Sequence, residues 1–440
     1  MSTRPDEIPV KVERVTIEQD KGVSKPSFLR HFVKNVQQAS DLQSLLVEAQ
    51  LAKQKMEQSG CFKSVDVAID TTEAYNTDGN ATGYQVVYDV KEKKLSISAG
   101  GDLSPDSMTP EGGVKVAIPN VFGYGEKIQM SFGKDMDSTE GADKPKNFFP
   151  NVSLNINYPL RYETTSIDGE FTSTNREKPW CNIKEESMLG KFGITNKFAE
   201  NLTGSVSLNA RQMNISALTD KDCPESIIDQ FGYSQKNFLT LSVNYDSSAN
   251  FIRKVVPAKG FRMKCDADFF KNGYKGFADL ALYQPLSTGI TGVLTASGGY
   301  LNTNGNKSHI SDRFFVGGNN NIRGFEMNSH GPRESGCALG GDASFKAGVH
   351  VYYSMELLGQ IFKGISQNLL SPNAAIHAFA VAGNVGNVSS VLQHKHYAYC
   401  YGIGVAMSLF QGIPLNLEAN VVGTSQKKFP TFQAGFSMSI

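Results

Sequence analysis

The sequence predicts a mainly β protein: an antiparallel transmembrane β-barrel of about 16 strands preceded by one small α/β domain of order βααββ. Three observations predict it. From Lys94 to the last residue, apolar side chains recur at every second position. The alternate positions of the same segments are Ser, Asn, Gln, Thr, Gly, Lys and Glu, so each strand has one wet face. Helical periodicity is confined to the first ninety-odd residues.

The first domain is read over residues 1–93, with an ordered core of about 8–92. Val10, Val12, Val15 and Ile17 give an opening strand in broken alternation. Ser24 is placed to cap a helix with Pro26 in its first turn, and Phe28, Leu29, Phe32, Val33 and Val36 share one face of that helix. Asp41 opens a second helix. Its stripe is Leu42, Leu45, Leu46, Ala49, Ala52 and Met56, and Ser59 and Gly60 stop it. Two apolar stripes need a sheet to cover, and residues 62–69 and 84–90, on either side of the polar loop 71–83, supply its other strands.

The second domain is read over residues 94–440. Leu95, Ile97 and Ala99 begin the alternation, Ile128, Met130 and Phe132 continue it, and Val206, Leu208 and Ala210 carry it on. Tyr401, Ile403, Val405, Met407 and Leu409 follow, then Leu415, Leu417, Ala419 and Val421, and finally Phe432, Ala434, Phe436, Met438 and Ile440. Alternation alone fits a soluble sandwich as well as a membrane barrel. Length and connectivity favour the barrel. Many segments reach the roughly 9–11 residues that a tilted strand needs to cross hydrocarbon. Short turns (119–125, 158–161 with a tight turn at Pro159, 411–414) alternate with long polar loops (134–147, 174–190, 212–236, 302–341). A sheet that spans lipid must close, because an open edge there leaves backbone N–H and C=O groups unpaired.

Composition removes other classes. Lys and Arg number 43, as do Asp and Glu, so no charge imbalance points to nucleic acid. The most apolar run, residues 374–383, is too short for a spanning helix and contains His377. The start, MSTRPDEIPVKVERV, has neither the apolar core of a secretory signal nor the acid-free, Arg-rich character of a presequence, so no cleaved address is expected. Cys61, Cys181, Cys223, Cys265, Cys337 and Cys400 are far apart in sequence, with no CxxC pair, and are expected to be free thiols without a metal. No GxxxxGK[ST], GxSxG or HExxH occurs, and His31, His309 and His396 have no companions that suggest a triad. Neither enzymatic activity nor a cofactor is expected.

Residues 315–325 read FVGGNNNIRGF. Ile322, Arg323, Gly324 and Phe325, the preceding Gly317 and Gly318, the SHGP at 329–332 and the LGGDA that returns to a strand resemble the sixth loop of the outer-membrane assembly-factor superfamily (BamA-like). The likeness is greatest to the channel subunit of the mitochondrial sorting and assembly machinery (SAM/TOB). The βααββ unit with GCF at 60–62 is similar to the POTRA domain of that family, PNVFGYGEKI at 119–128 resembles its first inner turn, and AGNV at 382–385 and the closing FQAGFSMSI resemble its late strands.

The resemblance implies a mitochondrial outer-membrane barrel that inserts other barrels, with its POTRA-like domain in the intermembrane space. Implied partners are unfolded β-barrel precursors, accessory SAM subunits, the inner-membrane organising (MICOS) complex and the lipid bilayer. It also implies that loop 302–343 folds inward and that Arg323 docks on the lumen wall. The residues alone leave Arg323 either solvated or docked, but a permanently charged fork inside a lumen needs acceptors. The acidic wall positions of bacterial members align with His350 and Val381 here. Strand parity turns Asn416, Glu418 and Asn420 inward, which makes Glu418 the expected acceptor, with His350 as a second wall partner. The family's lateral seam would join residues 95–103 (Leu95, Ile97, Ala99, Gly100, Gly101) to residues 431–440 (Phe432, Gly435, Phe436, Ile440). Its glycines either weaken the strands for opening or relieve curvature. A passive porin-like channel and a protein-translocation pore are the alternatives.

Overall fold

The computed structural model describes residues 9–19, 22–72, 83–103, 110–135, 151–219, 223–248, 255–318, 321–354, 374–393, 397–408 and 415–438. The chain forms two compact units. One takes in Met1–Asp102, Glu111–Lys134 and Pro145–Thr172, and the other Leu103–Pro110, Asp135–Lys144 and Ser173–Ile440. The first unit therefore extends beyond the boundary read at residue 93, because the N-terminal domain packs on inner turns of the strands that follow.

That domain runs β1 (Lys11–Gln19), α1 (Pro26–Val33), α2 (Leu42–Gln58), β2 (Phe62–Thr71) and β3 (Gly83–Glu92), with sheet order β1-β3-β2. β1 lies parallel to β3 and β2 antiparallel to it. The helices cover the sheet through Phe28, Phe32, Leu45, Ala49 and Met56, against Phe62, Val65, Val86 and Tyr88. Asp41 caps α2 in a reciprocal box with Ser44, its carboxylate accepting from the Ser44 amide at 2.7 Å.

Three local readings are corrected. The residue that caps α1 is Lys25, which has no capping side chain, whereas the Ser24 hydroxyl accepts from Asn120 at 2.6 Å. Val36 is buried on a 3-10 turn after α1 has ended. Leu46 is exposed, because α2 buries only Leu45, Ala49, Ala52 and Met56.

The PNVFGYGEKI turn is the dock for this domain. Glu126 is buried beneath the turn and accepts from the amides of Phe122 and Tyr124, while Asn120 accepts from Gly125 N–H at 2.8 Å. Gly123 and Gly125 have φ of +90° and +83°, conformations that favour glycine. The turn presents the Gly123 carbonyl to the Lys25 amide at 2.8 Å, and the Phe28 ring occupies the place where a Gly125 side chain would stand. On the next inner turn Tyr162 meets Phe28 edge-on at 5.2 Å and Phe32 at 5.0 Å.

The second sheet has 16 strands, each hydrogen-bonded to its neighbours in chain order. It begins with β4 (Ser96–Leu103), β5 (Pro110–Pro119), β6 (Lys127–Asp135), β7 (Asn151–Arg161), β8 (Thr165–Lys178) and β9 (Ile183–Ala199). β10 (Leu202–Ala217), β11 (Gly232–Asp246), β12 (Gly260–Phe270), β13 (Gly273–Ser287) and β14 (Ile290–Asn302) follow, with a four-residue helix α3 (Glu225–Ile228) between β10 and β11. A small hairpin, β15 (Arg333–Glu334) and β16 (Cys337–Ala338), stands apart from the sheet. The sheet resumes with β17 (Ala343–Ser354) and β18 (Ala374–Gly386), then the short helix α4 (Val388–Val391), and ends with β19 (Ala398–Ser408), β20 (Leu415–Thr424) and β21 (Thr431–Met438).

Burial along these strands is inverted relative to a protein dissolved in water. Leu208 is 64% exposed, Phe192 58% and Ile403 57%, and the register sets Leu208 beside both Phe192 and Leu239. The opposite face buries Ser207, Asn209, His350, His377 and Glu418. Asn209 donates to Thr240 at 2.9 Å, Thr240 to Asp268 at 2.6 Å and Ser242 to Asp266 at 2.6 Å. Apolar outside and hydrogen-bonded polar inside is the arrangement that lipid demands of a sheet. Among the described residues no helix is long and apolar enough to cross a membrane.

The strands are longer than alternation indicates. Most of 174–190 and much of 212–236 are strand rather than loop, since β8 to β11 have 14 to 17 residues. Beyond the hydrocarbon the pattern inverts: Met213 and Ile215 of β10 are buried on the face that carries Ser207 and Asn209 lower down, and the outward positions Gln212, Asn214 and Ser216 are polar. Pro159 lies inside β7, and the turn falls at Tyr162–Thr164, with Glu163 at φ +68°. Most of loop 134–147, all of 411–414, and His396 lie outside the described residues.

Truncating Phe28 to Ala should destabilise the N-terminal domain by about 3–5 kcal/mol, the usual cost of emptying a buried aromatic site. Urea-dependent proteolysis of the domain in the full-length protein checks this. Cleavage should begin at lower urea, with the spanning strands still protected.

Candidate functional site

The segment between β14 and β17 is a folded loop. Phe314 and Gly341 exchange backbone hydrogen bonds at 2.9 and 3.0 Å, His330 N–H reaches the Val316 carbonyl at 3.0 Å, and β15 and β16 form its hairpin. Gly317, at φ +126°, lets the chain pass so close to the Glu326 carbonyl that a Cβ would lie 2.6 Å from that oxygen.

Ile322, Arg323 and Phe325 are buried on the polar face of the sheet. Arg323 is 4% exposed, and its Nε and Nη2 donate to one carboxylate oxygen, Glu418 Oε2, at 3.1 and 2.8 Å. Glu418, on β20, is likewise 4% exposed and also accepts from Asn420 at 3.1 Å. The guanidinium carbon lies 4.7 Å from the centre of the Phe379 ring, close enough for a cation–π contact. Gly324, at φ +80°, donates its N–H to Gln433 Oε1 of β21 at 2.8 Å, and a Cβ there would sit 2.5 Å from Thr424 Cγ2. Ile322 and Phe325 close the apolar rim with Val381, Val385 and Val422.

The floor beneath Arg323 is built by pleat parity. On β19 the inward positions are Cys400, Gly402, Gly404 and Ala406, paired in register with Val381, Phe379, His377 and Ala375 of β18. A side chain at Gly402 would lie 2.8 Å from the Phe379 ring, and one at Gly404 would strike Asn420. Two glycines between β18 and β20 thus leave room for the large residues that hold the arginine. His350, expected as a direct wall partner, is not bonded to Arg323. Its Nδ1 lies 3.1 Å from His377 Nε2, and His377 Nδ1 stops 4.0 Å from Glu418 Oε2 without a hydrogen bond to it. Tyr352 stacks on His377 with ring centres 4.2 Å apart.

A second attachment has no counterpart in the sequence reading. Asp312, near the start of the loop, accepts from Arg211 of β10 at 2.6 Å and from Lys236 of β11 at 2.8 Å. Burial by itself would raise this carboxyl, but the two cations outweigh it and hold it at about 2. Next to it Ser311 donates to Glu185 of β9, which also pairs with Lys178 at 2.9 Å. The loop is therefore fixed at one end to β9–β11 and at the other to β20 and β21. His377 could have been found by the parity rule that selects Glu418. Parity from Val206, Leu208 and Ala210 on β10 also turns Arg211 inward, and Lys236 is its register partner on β11.

The seam residues are located as follows. Ala99, Gly100 and Gly101 belong to β4 at one end of the sheet order, and Phe432, Gly435 and Phe436 to β21 at the other. Leu95, Ile97 and Phe432 are exposed, and Ile440 lies outside the described residues.

Two outcomes are expected here. Glu418→Ala strands a buried guanidinium, at a cost of about 3–5 kcal/mol, so the loop should become cleavable by proteinase K, while the pair R323M/E418M keeps it protected. The Asp312 clasp has a folded pKa below the ordinary 3.8, so its contribution is complete above that value and lost as pH falls through about 2. Protease sensitivity of the loop's first half should follow that window, and Asp312→Asn should show the sensitivity already at neutral pH.

Residues 120–431 match the Omp85 superfamily domain. The chain is similar to the sorting and assembly machinery component 50 homolog of Homo sapiens, 26% identical over 429 residues, which is 91% of this chain and 83% of that protein. The Xenopus tropicalis homolog is 27% identical over 438 residues, 93% of this chain and 85% of the relative. Among solved structures, BamA from Haemophilus ducreyi lacking POTRA domains 1–3 superposes with a TM-score of 0.72 at 18% identity, over 97% of this chain and 83% of that one. This second likeness is one of barrel fold. The family match covers well over half the sequence, and the chain belongs to the Omp85 superfamily.

Proposed function

We propose that the protein is an assembly factor that folds β-barrel precursors and inserts them into the mitochondrial outer membrane, through a lateral seam between β4 and β21. One observation carries this reading: the IRGF segment is bonded to the last two strands of the sheet, through Arg323 to Glu418 on β20 and through Gly324 to Gln433 on β21. A loop attached there bears directly on the strand that would part from β4. The names of the relatives, sorting and assembly machinery component 50, point the same way.

The mechanism needs no nucleotide, cofactor or covalent chemistry. An incoming strand replaces β21 at the edge of β4, so one set of backbone hydrogen bonds exchanges for another. Each further client strand then satisfies its N–H and C=O groups in lipid and turns its apolar face outward. Gly100 and Gly101 in β4 and Gly435 in β21 supply no side chains to the two strands that would part, which fits an easily opened seam. The N-terminal domain stands in the intermembrane space. In its sheet β1 and β2 are the edge strands, and either edge can take an extended client segment by strand addition or receive accessory SAM subunits and the MICOS complex.

Arg323→Ala should lower the rate of assembly of an imported barrel precursor at least several-fold in isolated mitochondria, while the variant itself resists carbonate extraction. A cysteine in a precursor's final strand should form disulfides with cysteines placed along residues 96–103. Normal assembly by the variant together with no such crosslinks would point instead to a passive channel, whose conductance should rise when loop 303–342 is deleted.

A further inference from the structure

Cysteines that are 42 and 114 residues apart in sequence converge at the outer end of the second unit. Cys181 lies between β8 and β9, Cys223 between β10 and β11 just before α3, and Cys337 in the β15–β16 hairpin of the long loop. Cys181 and Cys337 are buried in one cluster with Ile183, Ile215, Ile227 and Ile310, and Cys223 packs against it. Three contacts fix the approach. The Ser226 hydroxyl donates to Glu334 at 2.9 Å, and Glu334 is the hairpin partner of Cys337. Cys223 Sγ lies 4.0 Å from the Cys181 carbonyl, while Cys181 Sγ donates to the carbonyl of Ala338, next to Cys337, at 3.2 Å. Cys223 and Cys337 therefore share one apolar cluster at this end of the sheet. All three cysteines are free thiols.

We propose that Cys223 and Cys337 are a dithiol modification site, which a low-molecular-weight disulfide such as glutathione disulfide converts reversibly to an intramolecular disulfide that ties α3 to the β15–β16 hairpin. The three cysteines have distinct parts. Cys223 is the partly exposed one and meets the reagent, Cys337 is buried behind it, and Cys181 is fully buried with its proton committed to Ala338. The Cys223 sulfur, after losing its proton, attacks one sulfur of the reagent and expels one glutathione thiol, leaving a mixed disulfide. Cys337 then loses its proton, attacks the Cys223 sulfur and expels the second glutathione thiol. In sum two protein thiols are oxidised, one glutathione disulfide is reduced to two thiols, and the protons lost from the cysteines appear on the products. Burial raises the Cys223 thiol and pushes Cys181 up to about 12, so the selectivity comes from adjacency and access rather than acidity. The product would pin the outer half of the long loop to the connection between β10 and β11, beside the existing Ser226–Glu334 and Lys307–Asp229 contacts.

The full-length protein in detergent is treated with glutathione disulfide at pH 8.5, alkylated, digested and mapped by mass spectrometry. The expected result is loss of two of the six thiols, one peptide pair joining Cys223 to Cys337 and lighter by two hydrogens than its separate parts, and full recovery with dithiothreitol. Cys337→Ser should stop at a glutathione adduct on Cys223, Cys223→Ser should give no link, and Cys181→Ser should still form it. Unchanged heat-modifiable gel mobility identifies the variants that have kept their fold. A lasting adduct on Cys223 in the unsubstituted protein, a link that includes Cys181, or six thiols still titratable after treatment would each overturn the proposal.

Discussion

A guanidinium cannot shed its charge, and Arg323 sits where almost no water reaches it. That constraint organises the far wall of the sheet. Glu418 must point inward, which fixes the parity of β20, since a slip of one residue would turn the carboxylate to the apolar side and leave two charges unpaired. The fork needs space, which Gly402 and Gly404 provide, and its flat face needs a surface, which Phe379 provides. Gly324 must adopt positive φ for its amide to reach Gln433. A buried pair of this kind stabilises little relative to apolar residues of equal size. Its value lies in what it forbids, namely other registers and other placements of the loop.

The same loop is fixed at its other end by the opposite arrangement of charge. There the loop supplies the anion, Asp312, and the strands supply the cations, Arg211 and Lys236. The two attachments are therefore not interchangeable, and the loop cannot be seated in reverse. The N-terminal domain is joined to its inner turns by a different means. Phe28 packs on Tyr162, the Lys25 amide donates to the Gly123 carbonyl and Asn120 donates to the Ser24 hydroxyl, while Lys55 and His31 lie 3.9 and 3.6 Å from Glu163 at the exposed rim.

Strand parity made Glu418 legible before any coordinates, because apolar Leu415, Leu417, Ala419 and Val421 declare which way the alternate residues face. The same rule, applied to Ile376, Ala378 and Ala380, turns His377 inward. Its burial was hidden only because the surrounding run is apolar on both faces. Ser24 shows the converse. Its type and position suit a helix cap, yet its hydroxyl serves Asn120, ninety-six residues away, and no local pattern records that competition. Likewise the ends of β8 to β11 escape a search for outward apolar residues, since there the outward positions are polar and the inward ones, Met213 and Ile215 among them, are apolar.

By itself the sequence determined the order of elements, the class of sheet, the polarity of its two faces and the arginine-bearing loop. These follow from periodicity and local backbone preference, which act between residues a few positions apart. Only the tertiary structure decided that Asp312 is the loop's second anchor, that His350 meets His377 rather than Arg323, and that three remote cysteines share one apolar cluster. Those facts depend on which of many chemically acceptable partners the chain brings within bonding distance, and that choice is made by the closing of long loops and the packing of whole strands.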